Sequence, residues 1–147
     1  MKKIYYPELD ETLCSCRLEN GLTVAVVPRK GFTKKLAYFV TDYGSIHTDF
    51  VLEGKKHRTP AGVAHYLEHK MFDTPDGGNA LQKLSASGAS PNAFTSAAIT
   101  GYHFECTEGF WDNLRTLLEF VSVPYFTEES VQKEQGIIGQ EIRMMDD

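Results

Sequence analysis

The 147-residue chain is 41% hydrophobic and 24% charged, a balance typical of a soluble globular domain that buries one core. Its formal net charge is −5, with acids and bases interspersed, so it offers no basic stripe to a nucleic-acid backbone. No segment approaches the roughly 20 apolar residues of a membrane span. Three cysteines and no secretory signal at the N-terminus lead us to expect the cytoplasm, without nucleic-acid or membrane partners.

The first third of the chain predicts an antiparallel sheet. The β-rich runs TLCSCRL and LTVAVVP flank Glu19, Asn20 and Gly21, and an Asn-Gly pair between such runs is a strong hairpin signal. The run KKLAYFVTDYGSI is apolar on both faces, which predicts a strand covered on both sides. The polar segment HTDFVLEGKKHRT predicts a loop.

Capping residues predict two helices in the middle of the chain. Thr59 is a suitable N-cap and Pro60 suits the first helical position, so a helix is expected from there to about Phe72. Asn79 caps a second, short helix, and Gly88 stands where its C-terminal cap belongs. The segments SPNAFTS and ITGYHFEC that follow predict two more strands.

Two further helices complete the pattern. An amphipathic helix that Pro124 ends is predicted by apolar residues at helical spacing, namely Phe110, Leu114, Leu117, Leu118 and Val121. Thr127 caps the last helix, which has no stop signal before Asp147, so we expect the chain to be part of a longer protein. The element order predicts an α+β fold, a mostly antiparallel sheet with helices packed on one side.

The segment GVAHYLEHKMF carries the main chemical signal. On a helix, Glu68 and His69 lie at roughly −60° and +40° from His65, so the three side chains share one side. The opposite side carries an apolar stripe expected to pack on the sheet, namely Val63, Leu67 and Met71. Two imidazoles four residues apart can converge on one zinc ion, and Glu68 can take a proton from its water. Two solvated histidines with a salt-bridging glutamate are the alternative.

A catalytic zinc needs a third protein ligand, and the last helix offers carboxylates. Glu134 and Glu141 are seven residues apart and hence nearly on one face, although such a pair can also be a solvated edge. Gly136 and Gly139 weaken a helix, which suggests close approach to another element. His103, in a predicted strand, is a rival ligand that we interpret as structural or surface.

Four segments, NGLTVAVVP, GVAHYLEHKMF, GASPNAFTS and FTEESVQKEQGIIGQEI, resemble in order those of the inverzincin metallopeptidases, the family of pitrilysin, insulin-degrading enzyme and mitochondrial processing peptidase. The likeness covers nearly the whole chain and is greatest to bacterial peptidase-like members. It implies one zinc ion with Glu141 as its third ligand and Glu134 as that site's supporting residue.

The same resemblance implies that Asn92, Ala93 and Phe94 hold the backbone of a peptide substrate. Pro91 lacks an N–H and is tolerated on an edge strand, where an extended peptide could add itself as a further strand. From the residues alone, an ordinary edge strand shielded by a loop is an equal alternative.

The sequence therefore predicts a zinc endopeptidase in which a water, activated by zinc on His65, His69 and Glu141, loses its proton to Glu68 and attacks a peptide carbonyl. The alternatives are a non-catalytic peptide-binding or partner subunit and a purely structural zinc domain.

Family enzymes resemble clamshells of several homologous domains, so residues 1–147 are expected to be an incomplete N-terminal zinc-binding peptidase domain. Missing C-terminal domains or a homologous second subunit are the expected partners. The isolated chain is expected to fold at least partly, yet to have little peptidase activity.

Overall fold

The computed structural model describes residues 1–146, and at residues 142 and 144–146 it describes the backbone alone. The chain divides into two compact units, Met1–Thr33 and Lys34–Asp147. The single incomplete domain expected for residues 1–147 stays a prediction. Within the described part, no helix combines the length and hydropathy needed to cross a bilayer.

The first unit is a three-stranded antiparallel sheet in the order β1-β2-β3, formed by β1 (Lys2–Tyr6), β2 (Glu11–Arg17) and β3 (Thr23–Val26). The predicted hairpin at Asn20 and Gly21 is confirmed. Gly21 has φ +90°, and the Asn20 side chain accepts a hydrogen bond from the backbone N–H of Leu22 at 3.1 Å. The sequence pattern did not predict β1, whose residues are mostly exposed at a sheet edge.

The second unit is built on a sheet in the order β4-β8-β7, all antiparallel: β4 (Lys35–Thr41), β7 (Ser90–Thr95) and β8 (Thr100–Cys106). Alternate side chains of β8, among them Tyr102 and Phe104, enter the core. On the other face of β4 three apolar side chains are exposed: Leu36, Tyr38 and Val40. The prediction of a strand covered on both sides is therefore wrong for this chain, because the described helices cover one face.

A second small sheet occupies the segment that was predicted to be a loop. Strands β5 (Asp49–Leu52) and β6 (Lys55–Arg58) form an antiparallel hairpin. Glu53 and Gly54 make its turn with φ +50° and +77°, the left-handed conformation that two-residue hairpin turns require. Rings of Phe50 and His57 stack across the strands with centroids 5.5 Å apart. The polar composition of the segment concealed this pairing.

Helices cover the inner face of the β4-β8-β7 sheet, as predicted for an α+β fold. They are α1 (Val63–Lys70), α2 (Ala80–Ala86), α3 (Phe110–Ser122) and α4 (Glu128–Asp146). The first of them contacts β7 and β8, the second contacts β7, and the third contacts β4 and β8. The shared core is built from buried side chains of both layers, namely Phe72, Ala80, Leu84, Ala89, Tyr102, Phe104, Cys106, Leu117 and Phe120.

Two of the predicted caps are confirmed. The Asn79 side chain accepts from the backbone N–H of Leu81 at 2.9 Å and thereby starts α2. Thr127 Oγ1 accepts from the backbone N–H of Ser130 at 3.1 Å and starts α4. The missing stop signal at Asp147 lies outside the described residues.

The predicted start of α1 at Thr59 is wrong. The helix begins at Val63, after Gly62, whose φ of +89° is outside the helical region. The backbone N–H of Thr59 instead donates to the carbonyl of Thr48 at 2.8 Å, which ties residue 59 to the segment that precedes β5. As a result α1 has eight residues and is centred on its two histidines.

Candidate metal centre

The two histidines of α1 lie against α4. Their rings are 4.8 Å apart between centroids and meet edge to face at 88°. The Tyr66 hydroxyl donates to the carbonyl of Val131 at 2.8 Å and joins the two helices between the histidine positions. This hydrogen bond holds the short helix α1 against α4, and both imidazoles point into the same space.

Glu141 of α4 completes a three-residue group with His65 and His69. Its Oε2 lies 3.6 Å from His65 Nε2 and 3.8 Å from His69 Nε2. All three donor atoms lie within 4.8 Å of one another. These distances exceed a hydrogen bond but approach the roughly 3.4 Å that separates two ligands of a tetrahedral zinc. Two imidazoles and one carboxylate, spaced around a common centre, fit a zinc ion with a position left for water.

Glu134 holds one of the imidazoles from behind. Its Oε1 lies 2.8 Å from His69 Nδ1, and this carboxylate side chain is only 14% exposed. An ionised carboxylate can only accept, so Nδ1 donates in this contact, and in a neutral imidazole the lone pair of Nε2 then faces Glu141. The supporting role that the family resemblance implied for Glu134 fits this geometry, which is the common arrangement behind a metal-binding histidine.

Glu68 faces the sheet and not open solvent. It is 8% exposed, and its Oε2 accepts a hydrogen bond from Thr95 Oγ1 at 2.6 Å. Burial raises the pKa of Tyr102, and the nearby charge of Glu68 raises it further. The Glu68 side chain therefore lies next to β7 and β8, on the face of the sheet that α1 covers.

The apolar stripe predicted for α1 is wrong in part. Ala64, Glu68 and Lys70 are the buried residues of the helix, whereas Val63 and Leu67 are only half-buried. The buried Lys70 ammonium is paired with the Asp73 carboxylate, which compensates for its removal from water. The helix is thus turned so that the carboxylate of Glu68 meets the sheet, while Met71 of the predicted stripe still packs against the core.

The predicted substrate residues lie on β7, which is an edge of its sheet. The backbone N–H of Ser96 bonds to Ile99, and antiparallel pairs alternate, so Thr95, Ala93 and Pro91 turn their backbone groups away from β8. Asn92 Oδ1 accepts from the N–H of Ala93 at 2.9 Å. An edge with outward-facing backbone groups is therefore present at the predicted residues.

Phe94 packs on a glycine of the neighbouring strand. Its register partner is Gly101, and a Cβ at that position would lie 2.6 Å from the Phe94 ring. The absent side chain makes room for the ring, which stays 37% exposed. Phe94 and Asn92 thus point to the sheet face opposite the helices.

Thr95 was missed by the sequence reasoning. The strand alternation could have found it, because Thr95 shares the inward face with Ala93 while Asn92 and Phe94 point outward. His103 is not in the three-residue group and stacks on Tyr38 at 4.5 Å, in keeping with a structural role.

No described element makes the close approach predicted at Gly136 and Gly139. A Cβ at either position would meet no described atom within 4 Å outside the adjacent backbone of α4. The described hydrogen bonds of α4 with α1 are made instead by the backbone carbonyl of Val131 and the side chain of Glu134.

Residues 52–147 match the model of one protein family, described as insulinase (peptidase family M16). The chain is 52% identical over 149 residues to an "uncharacterized zinc protease", YmfH, of Bacillus subtilis (strain 168), an alignment covering 100% of this chain and 35% of that protein. It is also 27% identical over 143 residues to AlbF of the same strain, a "putative zinc protease", over 97% of this chain and 33% of that one.

Solved structures show the same fold. A "putative M16-like peptidase from Alicyclobacillus acidocaldarius" superimposes with a TM-score of 0.89 at 40% identity, covering 98% of this chain and 33% of that one. Pitrilysin superimposes with a TM-score of 0.76 at 21% identity, over 98% of this chain and 16% of the other. The chain thus spans about a third of the length of the two Bacillus subtilis relatives.

Proposed function

This chain belongs to the insulinase family, peptidase family M16, and from that premise we propose that the full-length protein is a zinc-dependent endopeptidase acting on peptides or unfolded segments. The convergence of His65, His69 and Glu141 on one centre carries the proposal. The names of the relatives as zinc proteases support it. Because the chain is about a third of their length, the activity belongs to the whole protein and not to these residues alone.

One zinc ion would be held by His65, His69 and Glu141, and when bound it supplies a Lewis acid next to water and the peptide carbonyl. The hydrogen bond from His69 to Glu134 keeps that imidazole in the tautomer that can bind a cation. Glu68 serves as the general base that takes the proton of the attacking water.

The peptide would lie along β7 as an added strand. The backbone groups of Ala93 and Thr95 face the free edge, so they can pair with an extended chain. Asn92 holds the N–H of Ala93 until a peptide carbonyl replaces its side-chain oxygen. In the absence of a peptide, the N–H of Ala93 therefore still has a hydrogen-bond acceptor.

The remainder of the full-length protein, or a homologous second subunit, would close the other side of the substrate site. The half-open surroundings of the candidate ligands are consistent with this, since the His65 and Glu141 side chains are 43% and 41% exposed. A cytoplasmic location stays a prediction. A non-catalytic peptide-binding subunit is the competing function, because it would keep the same strand edge without cleaving.

Substitution of Glu68 by Gln in the full-length protein should lower kcat for peptide cleavage by about 100-fold or more, because an amide cannot accept the proton. Zinc content, measured by atomic spectroscopy, should stay at about one ion per chain, because Glu68 is not among the proposed ligands. Glu119→Gln, at an exposed position of α3, is the matched control and should keep the parent rate.

Cleavage by Glu68→Gln at the parent rate would remove Glu68 from the mechanism. A parent protein that binds peptides but leaves them intact, with or without a chelator, would favour the non-catalytic subunit.

A further inference from the structure

The side chain of Thr95 has no role in the proposed mechanism, although it touches the proposed general base. Its Oγ1 donates to Glu68 Oε2 at 2.6 Å, the short distance of a hydroxyl bonded to a carboxylate. We infer that Thr95 is a positioning residue for Glu68, holding one carboxylate oxygen so that the other is presented to water. The inference rests on the proposed function, because it gives Thr95 a task only if Glu68 is the base.

The direction of this hydrogen bond follows from its neighbours. Thr100 Oγ1 donates its own hydrogen to the carbonyl of Tyr43 at 2.8 Å. It lies 3.4 Å from Thr95 Oγ1, too far for a strong bond. An ionised carboxylate can only accept, so the hydroxyl hydrogen of Thr95 goes to the nearer and charged partner, Glu68.

The second oxygen of Glu68 stays available. Oε2 is the oxygen that bonds to Thr95, and Oε1 has no hydrogen bond to a described residue. Oε1 is therefore the oxygen left for a water molecule, although the residue as a whole is 8% exposed. A carboxylate with one oxygen bonded to the fold and one open to water suits a group that accepts a proton in a fixed direction.

The hydroxyl also links the base to the strand on which the peptide would lie. Thr95 is paired with Thr100 in β8, so its backbone position is set by the sheet. Its backbone groups face the free edge while its side chain faces α1. The distance between the peptide carbonyl and the proton acceptor is thereby defined through one residue, and errors of about 1 Å in such distances can cost about 100-fold in rate.

Removal of this hydroxyl should lower turnover without weakening substrate binding. In the full-length protein, Thr95→Val, which keeps the shape, should lower kcat about tenfold to 100-fold, the loss expected for one hydrogen bond to a charged group. KM should stay within about twofold, and zinc content should not change. Thr95→Ser keeps the donor and should keep kcat within about threefold.

Thr41→Val is the matched control. Thr41 lies in β4, the strand on the other side of β8 from β7, and pairs with Thr100. It makes no described bond to Glu68. It should keep kcat within about twofold. Thr95→Ala, which also lacks the hydroxyl, should show the same loss as the valine variant and replaces it if that variant does not fold.

A second measurement separates positioning from simple packing. In a Glu68→Asp background the carboxylate is one methylene shorter and drawn away from Thr95, so adding Thr95→Val should cost less than about threefold. Equal losses for Thr95→Val and Thr95→Ser, or the same loss in both backgrounds, would overturn the inference. If Glu68→Gln is inactive while Thr95→Val turns over like the parent, the positioning role alone fails. If Glu68→Gln cleaves peptides at the parent rate, Glu68 is not the base and the inference loses its premise. If the parent protein cleaves no peptide, the proposed function itself fails.

Discussion

Two glycines at the β7–β8 hairpin are equally close to their neighbours, but a side chain added at each should have a different cost. A Cβ at Gly44 would lie 2.6 Å from backbone atoms of residues 97–99, and one at Gly101 would lie 2.6 Å from the ring of Phe94. Backbone N–H groups of Ser45 and Ile46 donate to the same hairpin, which prevents its backbone from moving away. The ring of Phe94 is partly exposed and can rotate.

We expect Gly44→Ala to lower the free energy of unfolding of the 147-residue chain by about 1–3 kcal/mol, because a fixed backbone must absorb the overlap. Gly101→Ala, its matched partner, should cost less than about 1 kcal/mol, since only the Phe94 ring must shift. Urea unfolding followed by circular dichroism measures both. An equal cost at the two sites would show that the β7–β8 turn yields as readily as the ring.

At the scale of elements, the two sides of α4 differ, because one contacts α1 and the other is exposed. The face turned to α1 repeats at helical spacing, with Val131 and Glu134 in contact and Glu141 opposite the histidines. Gly136 is exposed and has open space around it, so it weakens the helix without serving a contact. The helix thus carries two predicted zinc-site residues on a segment of low intrinsic helix propensity.

Gly136→Ala should therefore stabilise the chain by about 0.5–1 kcal/mol, because alanine loses less backbone freedom than glycine and has room for its methyl group. Thermal unfolding monitored by helical circular dichroism tests this, with Lys133→Ala at another exposed position of α4 as the neutral comparison. A fall in stability would mean that a contact at Gly136 exists in solution.

At the scale of the whole molecule, the sheet of the second unit has one face covered by helices and one exposed face. The inner side of its β4-β8-β7 sheet is closed by helices, whereas Leu36, Tyr38 and Val40 on the outer side are each about half exposed. The candidate zinc ligands are exposed to a similar degree. Catalytic electrostatics depend on excluding water, so a site this open is poorly suited to turnover by itself.

The isolated 147-residue chain should bind zinc but cleave peptides at least about 100-fold more slowly than the full-length protein, because no described residue closes the far side of the site. Parallel assays of both proteins, with zinc content measured in each, provide the comparison. Turnover by the short chain at the full-length rate would refute the need for further domains or a second subunit.

Local sequence rules predicted turns and helix ends correctly where a single residue determines the backbone conformation. Asn20 and Gly21 dictate a tight hairpin, Asn79 and Thr127 satisfy free N–H groups at helix starts, and Pro124 ends a helix. The same rules failed at Thr59, whose N–H found a partner in Thr48, a contact remote in sequence. Local preference was right when no distant partner competed for the same backbone group.

By itself the sequence determined the chemical types of the site, two histidines and a glutamate on one helix and two carboxylates on another, together with the family resemblance that relates them. Tertiary structure alone decided that Glu141 meets both imidazoles, that Glu134 stands behind His69, and that Glu68 turns to Thr95. The reason is physical: periodicity states which side chains share a face, but the rotation of α1 against the sheet depends on every contact that buries it.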